Sequence, residues 1–213
     1  LRPDYDFESL EKISGILTYN LNNIIDYNYY PIPETKKSNQ RHRPIGIGVQ
    51  GLANVFFEMN YAFDSPGARE LNEKIFETIY YGSMKASMNI SRERETYMIR
   101  YKKWLNQIVG PSGESGDFVS SDEYSKIMKK LKYVLQEEHD REEHLGSYST
   151  FEGSPLSEGK FQFDLWDYNI TDIRHDWSQL REDVMRYGTR NSLLVAPMPT
   201  ASTSQIMGNY ECF

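Results

Sequence analysis

The sequence predicts an α/β fold. Apolar residues recur at helical spacing over residues 7–25 and 65–92. Two short apolar runs, around Phe161–Leu165 and over Ser192–Val195, have the length of buried strands. Sixteen Tyr and ten Phe supply rings for a packed interior, and 213 residues are enough for one domain with a sizeable core.

From the N-terminus, Asp6 is an expected cap for a helix with Phe7, Leu10, Ile13, Ile16, Leu17, Leu21, Ile24 and Ile25 at its apolar positions. Tyr27 to Pro33 reads as extended, because residues before proline avoid helical backbone angles. Gly48 to Asn60 reads as a second helix with Val49, Leu52, Ala53, Phe56 and Phe57 on its buried side. Ser65 as cap and Pro66 at the first helical position start a third, which carries Leu71, Ile75, Ile79, Met84 and Met88 inward. Between about 95 and 144, Gly110–Gly116 is turn-forming and Ser120 with Glu123 fits a capping box. Tyr124, Ile127, Met128, Leu131, Val134 and Leu135 then form an apolar face, with Trp104, Leu105 and Ile108 as its partner, so this stretch is expected to be a helical hairpin. A strand around Phe161–Leu165, a helix over Asp176–Tyr187 and a strand over Ser192–Val195 complete the chain.

The net charge of −7 argues against a generic nucleic-acid binder, which shows a basic surface. No apolar run approaches the roughly 18 residues of a membrane span. Cys212 is the single thiol, so no internal disulfide can form, which suits a reducing compartment. It reads as a small hydrophobe, since no base is placed beside it.

Several motifs point to other chemistry and lack its context. Gly46-Ile47-Gly48-Val49-Gln50-Gly51 matches G-x-G-x-x-G, but Arg41-His42-Arg43-Pro44 is a poor preceding strand, and the glycines read as places for close helix packing. Asn89-Ile90-Ser91 and Asn169-Ile170-Thr171 match the glycosylation sequon without a secretory signal. His139 and His144 lie amid acidic residues and read as part of a solvated charged face rather than a metal site.

The C-terminal stretch carries the chemistry. After Ser192–Val195 come Pro197 and Pro199, hydroxyls at Thr200, Ser202, Thr203 and Ser204, and a segment able to start a helix. A strand, a tight turn and a hydroxyl-rich helix start form an anion site, since free N–H groups and the positive dipole end face the ligand. The same residues serve equally as an ordinary N-cap.

A resemblance distinguishes these readings. Pro199-Thr200-Ala201-Ser202-Thr203-Ser204-Gln205-Ile206, followed by Gly208-Asn209-Tyr210-Glu211-Cys212-Phe213, resembles the substrate-diphosphate loop of class I ribonucleotide reductase large subunits of the eukaryotic and large-virus type. Asn23–Pro33, Arg41–Ala53, Ile75–Gly82, Phe151–Pro155 and Tyr187–Ser192 are similar to family segments in family order.

The resemblance implies part of a ten-stranded α/β barrel, with residues 1–213 in the catalytic barrel domain and about 95–144 inserted as a helical hairpin. It implies reduction of ribonucleoside diphosphates by radical chemistry, and a diphosphate cradle of Thr200, Ala201, Ser202 and Thr203 with Pro199 shaping the turn. It places no catalytic residue and no metal ligand in this chain. The radical and redox cysteines are expected upstream of Leu1 and the relay tyrosines downstream of Phe213, so an internal segment inactive alone is expected. The implied di-iron tyrosyl radical belongs to a small partner subunit, and ATP and dNTP effectors bind elsewhere on the large subunit. The expected partners are the diphosphate substrate, the small subunit, a second large subunit, and thioredoxin or glutaredoxin, with no nucleic acid and no membrane; the expected location is the cytoplasm. The alternative is a split or non-catalytic derivative that binds nucleotides or partners.

Overall fold

The computed structural model describes residues 4–109, 120–132, 134–170 and 174–210. Helix α1 (Phe7–Tyr27) begins where the Asp6 carboxylate accepts the Ser9 N–H at 2.9 Å. That bond satisfies one of the first-turn donors that a helix cannot pair internally. Its main partner is α4 (Pro66–Val109), a 44-residue helix. The seam between them is small and polar. Ser14 and Thr18 are buried, and their hydroxyls donate back to the Leu10 and Ser14 carbonyls at 2.8 and 2.9 Å. A Cβ on Gly82 would lie 2.7 Å from the Glu11 carbonyl oxygen, so the two backbones meet closely only because no side chain intervenes. The larger apolar residues Ile13, Ile16 and Ile24 of α1 are exposed.

Helix α2 (Pro33–His42) occupies a stretch with no apolar face to announce it; Pro33 at its first position presets the backbone angle. Helix α3 (Leu52–Glu58) is shorter than the helix expected over 48–60, because Gly51 at φ 76° sets its start. Leu52 and Phe56 are buried in it, whereas Phe57 is exposed. Helix α4 buries Leu71, Ile75, Ile79, Met84 and Met88 and runs on through residue 95 without a break.

Against the far part of α4 lies α5 (Ser121–Leu131), started by Ser120, whose hydroxyl accepts the Glu123 N–H. Met98, Ile127, Leu131 and Leu145 form a small apolar cluster there, and Trp104 stacks on Tyr124 at 4.2 Å between centroids. The Gly110–Gly116 turn and the Ile108 side chain lie outside the described residues. A short α6 (Gln136–Asp140) follows, then a 3₁₀ turn (Pro155–Glu158), α7 (Gln162–Leu165), α8 (Trp177–Tyr187) and α9 (Ala201–Met207). The main core joins α1, α3, α4 and α8, with Phe151 and Phe161 fully enclosed.

The expected α/β class and partial ten-stranded barrel are not what this chain forms. Among the described residues the elements are helices, and the single β-type contact is a parallel bridge between Ile47 and Val195. Phe161–Leu165 is not a strand. Asp164 folds back to accept the Phe161 N–H at 2.7 Å and bonds the Arg181 guanidinium, which closes a one-turn helix over an alternating apolar pattern. Ser192–Val195 is extended but pairs only briefly. The Ile45 and Ile47 N–H groups donate to Leu193 and Leu194, Ala196 N–H returns to Ile47, and Pro197 offers no donor to continue the ladder.

Candidate functional site

The stem leading to the hydroxyl-rich loop is clamped from two sides. On one side α4 holds it: Arg190 N–H donates to the Ser87 carbonyl and Asn191 N–H to the Ser87 hydroxyl, at 3.1 and 2.9 Å. On the other, the segment after α2 holds it: Asn191 Nδ2 donates to the Arg43 carbonyl and Ser192 N–H to the His42 carbonyl. Asn191 is fully buried, so these bonds replace all its water. The Ile47–Val195 bridge follows, and Gly48 then passes so close that a Cβ there would sit 3.2 Å from Pro197 Cα. Gly46 and Gly48 therefore admit an extended backbone segment, not a packed helix.

The four expected cradle residues lie at the end of this stem, on Thr200 and the first turn of α9. Thr200 is buried, and its hydroxyl has no hydrogen-bond partner. Its carbonyl accepts the Ser204 N–H and the Ser204 hydroxyl. Ala201, Ser202 and Thr203 are exposed. Their N–H groups, at the first turn, have no intrahelical acceptor. Two features hold the loop from outside. Gln50 Nε2 donates to Thr203 Oγ1 at 3.0 Å, and Tyr210 N–H donates to Asn54 at 3.0 Å. Neither Gln50 nor Asn54 carries a local sequence signal for this contact; each is over 150 positions from its partner. A cavity of about 780 Å³ opens beside the stem, between Tyr80, Trp177, Phe163, Leu193, Leu194, Val195 and Pro197, but none of Thr200–Thr203 lines it.

Behind the stem is a buried charge network. Arg43 makes a two-pronged contact with Asp26 at 2.8 and 3.1 Å and also holds Asn22. Glu138, fully buried, accepts from Arg94 at 2.7 Å and from Arg190 at 2.8 Å. Burial alone would raise the Glu138 pKa, but the two guanidinium groups reverse that and hold it at about 2. Burial and the like charge of Arg190 draw Arg94 down to about 9, against the pull of Glu138. Two cations favour the Glu138 carboxylate, whereas Arg94 loses water and faces the like charge of Arg190.

Glu138 is thus no part of a solvated charged face. Neither is His144, whose ring contacts Glu152 and the Met185 carbonyl. Among the described residues no group of three or more His, Cys, Asp or Glu side chains could hold a metal ion. No described helix is long and apolar enough to cross a membrane. Cys212 lies outside the described residues.

Comparison with known proteins gives one consistent answer. The family model for the ribonucleotide reductase barrel domain matches residues 2–213. The chain is 41% identical over 209 residues to a ribonucleoside-diphosphate reductase large chain of Schizosaccharomyces pombe, covering 98% of this chain and 19% of that protein. It is 43% identical over 209 residues to the large subunit of Arabidopsis thaliana, covering 98% and 19%. It is 42% identical over 212 residues to the large subunit of Acanthamoeba polyphaga mimivirus, covering 99% and 18%. The chain spans about a fifth of the length of these relatives.

Proposed function

Since the chain belongs to the ribonucleotide reductase barrel-domain family, we propose that it supplies the substrate-diphosphate cradle of a large subunit that reduces ribonucleoside diphosphates to deoxyribonucleoside diphosphates. Thr200, Ser202 and Thr203 offer hydroxyls, and Ala201 its backbone N–H. The observation that carries this reading is the Thr200 hydroxyl, buried yet without a partner, beside the first turn of α9, which no side chain caps. A buried hydroxyl without a hydrogen bond costs about 1–3 kcal/mol, and an anion at the loop would remove that cost. Fixing the charged end of the substrate fixes its ribose, a proximity effect.

The reductive chemistry requires more than one thiol, and this sequence holds one. We therefore assign no catalytic residue here and place the radical and redox cysteines elsewhere in the parent enzyme. The proposed partners are a second large subunit, a thioredoxin or glutaredoxin reductant, and a small subunit whose di-iron tyrosyl radical initiates the chemistry. Effector nucleotides bind outside this segment, and the setting is the cytoplasm. Residues 95–144 are proposed as an insertion in the barrel domain.

In the full-length enzyme, Ser202→Ala with Thr203→Ala should weaken diphosphate binding by roughly 1–3 kcal/mol, read as a raised KM for CDP. Unchanged KM and turnover would remove the cradle assignment.

A further inference from the structure

The Thr203 hydroxyl receives a donor from outside the loop. A threonine hydroxyl has one proton to donate and two lone pairs to accept with. Thr203 Oγ1 accepts from Gln50 Nε2 at 3.0 Å, and the acceptor nearest its own proton is the Thr200 carbonyl at 3.4 Å, a long and weak contact. An N–H donated into the oxygen turns the hydroxyl proton away from Gln50. That proton is then poised for a stronger acceptor arriving at the exposed face.

Gln50 is well placed for this. It sits between the Ile47–Val195 bridge and Gly51, whose left-handed backbone starts α3. The close pass of Gly48 over Pro197 fixes the same segment to the stem. The base of the amide arm is therefore set before a ligand arrives, which limits the ordering cost of binding. Gln50 carries no charge, so it can orient the hydroxyl without competing for the anion.

We propose that Gln50 is a positioning residue for the diphosphate: it acts through Thr203, holding that hydroxyl as a donor toward a phosphate oxygen. This inference rests on the cradle reading above and adds to it a residue outside the loop.

The test is a double-mutant cycle in the full-length enzyme. Binding of CDP and of inorganic pyrophosphate is followed by ³¹P NMR for the wild type, Gln50→Ala, Thr203→Ala and the double variant. Gln50→Ala should weaken binding about two- to tenfold, the range for one oriented hydrogen bond. In the Thr203→Ala background the same change should do nothing further, because the group it orients is gone. Gln50 is exposed, so the thermal midpoint should not move, which separates orientation from loss of structure. Gln50→Glu, with an acceptor in place of the donor, should weaken binding at least as much as alanine, since it captures the Thr203 proton.

If Gln50→Ala binds like the wild type while Thr203→Ala is weakened, the inference fails and the cradle stands. An equal loss in both backgrounds also overturns it, since Gln50 would then act independently of Thr203. A wild type that binds neither probe, or a Thr203→Ala variant that binds both like the wild type, removes the cradle and this inference together.

Discussion

Replacing Glu138 by alanine strands two buried cations. Arg94 and Arg190 have side chains only 8% and 5% exposed, and Glu138 bonds both at under 3 Å. Removing one member of a buried charge set costs about 3–5 kcal/mol; Arg94 and Arg190 would keep their bonds to the Leu131 and Ser147 carbonyls but lose the carboxylate that balances their like charges. The proton linkage gives a consistent size. The Glu138 pKa falls from 4.5 to about 2 on folding, and at about 1.4 kcal/mol per unit this is roughly 3 kcal/mol of stability at neutral pH. The sign follows from the direction of the shift. A depressed carboxylate stabilises the fold above its unfolded pKa, and that contribution is lost as pH falls from about 4.5 to about 2. The assay is urea unfolding followed by circular dichroism at pH 7, repeated down the acid range. Glu138→Ala should lower the unfolding free energy by about 3–5 kcal/mol, and the midpoint of a thermal scan by roughly 6–20 °C. It should also lack the part of the acid destabilisation that Glu138 contributes. A loss below about 1 kcal/mol at pH 7, or an unaltered acid profile, would refute the reasoning.

Two further outcomes test the packing. Gly146→Ala places a Cβ 1.8 Å from the Ser91 carbonyl oxygen, a backbone atom of α4 that cannot step aside; a loss of roughly 3 kcal/mol or more, or failure to fold, should appear in unfolding curves and soluble yield. Phe161→Ala removes a fully enclosed ring that meets Tyr80, Phe163 and Trp177, and should cost about 3–5 kcal/mol with a shift in tryptophan fluorescence; a cost under 1 kcal/mol would contradict the enclosed core.

Local patterns in the sequence were legible where a helix is set by its own residues. The Asp6 cap and the inward set Leu71, Ile75, Ile79, Met84 and Met88 depend only on neighbours within a turn or on helical spacing. Phe161–Leu165 misled because alternation of Phe, Gln, Phe, Asp and Leu is equally compatible with one helical turn once Asp164 caps it. Helix α2 has no apolar face, so periodicity could not reveal it. The strand over Ser192–Val195 was legible as extended chain, but its pairing depends on Ile45 and Ile47, far away in sequence. The loop residues Thr200–Thr203 were visible as a hydroxyl pattern and a family resemblance. Gln50 and Glu138 were not, because their roles exist only after distant segments meet. An acidic run such as Glu137-Glu138-His139-Asp140 reads as solvated until tertiary structure brings Arg94 and Arg190 to one of its members.

The length of α4 has a mechanical consequence. At 1.5 Å per residue its 44 residues span about 66 Å, one shaft from the main core to the contacts with α5. Near its middle, Ser87 and Ser91 hold the peptide groups of Arg190, Asn191 and Tyr187. From Met88 to Val109 the arm is about 32 Å and is packed against α5 through Met98, so a tilt of about 5° would sweep its tip through roughly 3 Å. A load applied at the α5 end is therefore geared down and delivered, as a small rotation, to the serines that grip the stem of the loop.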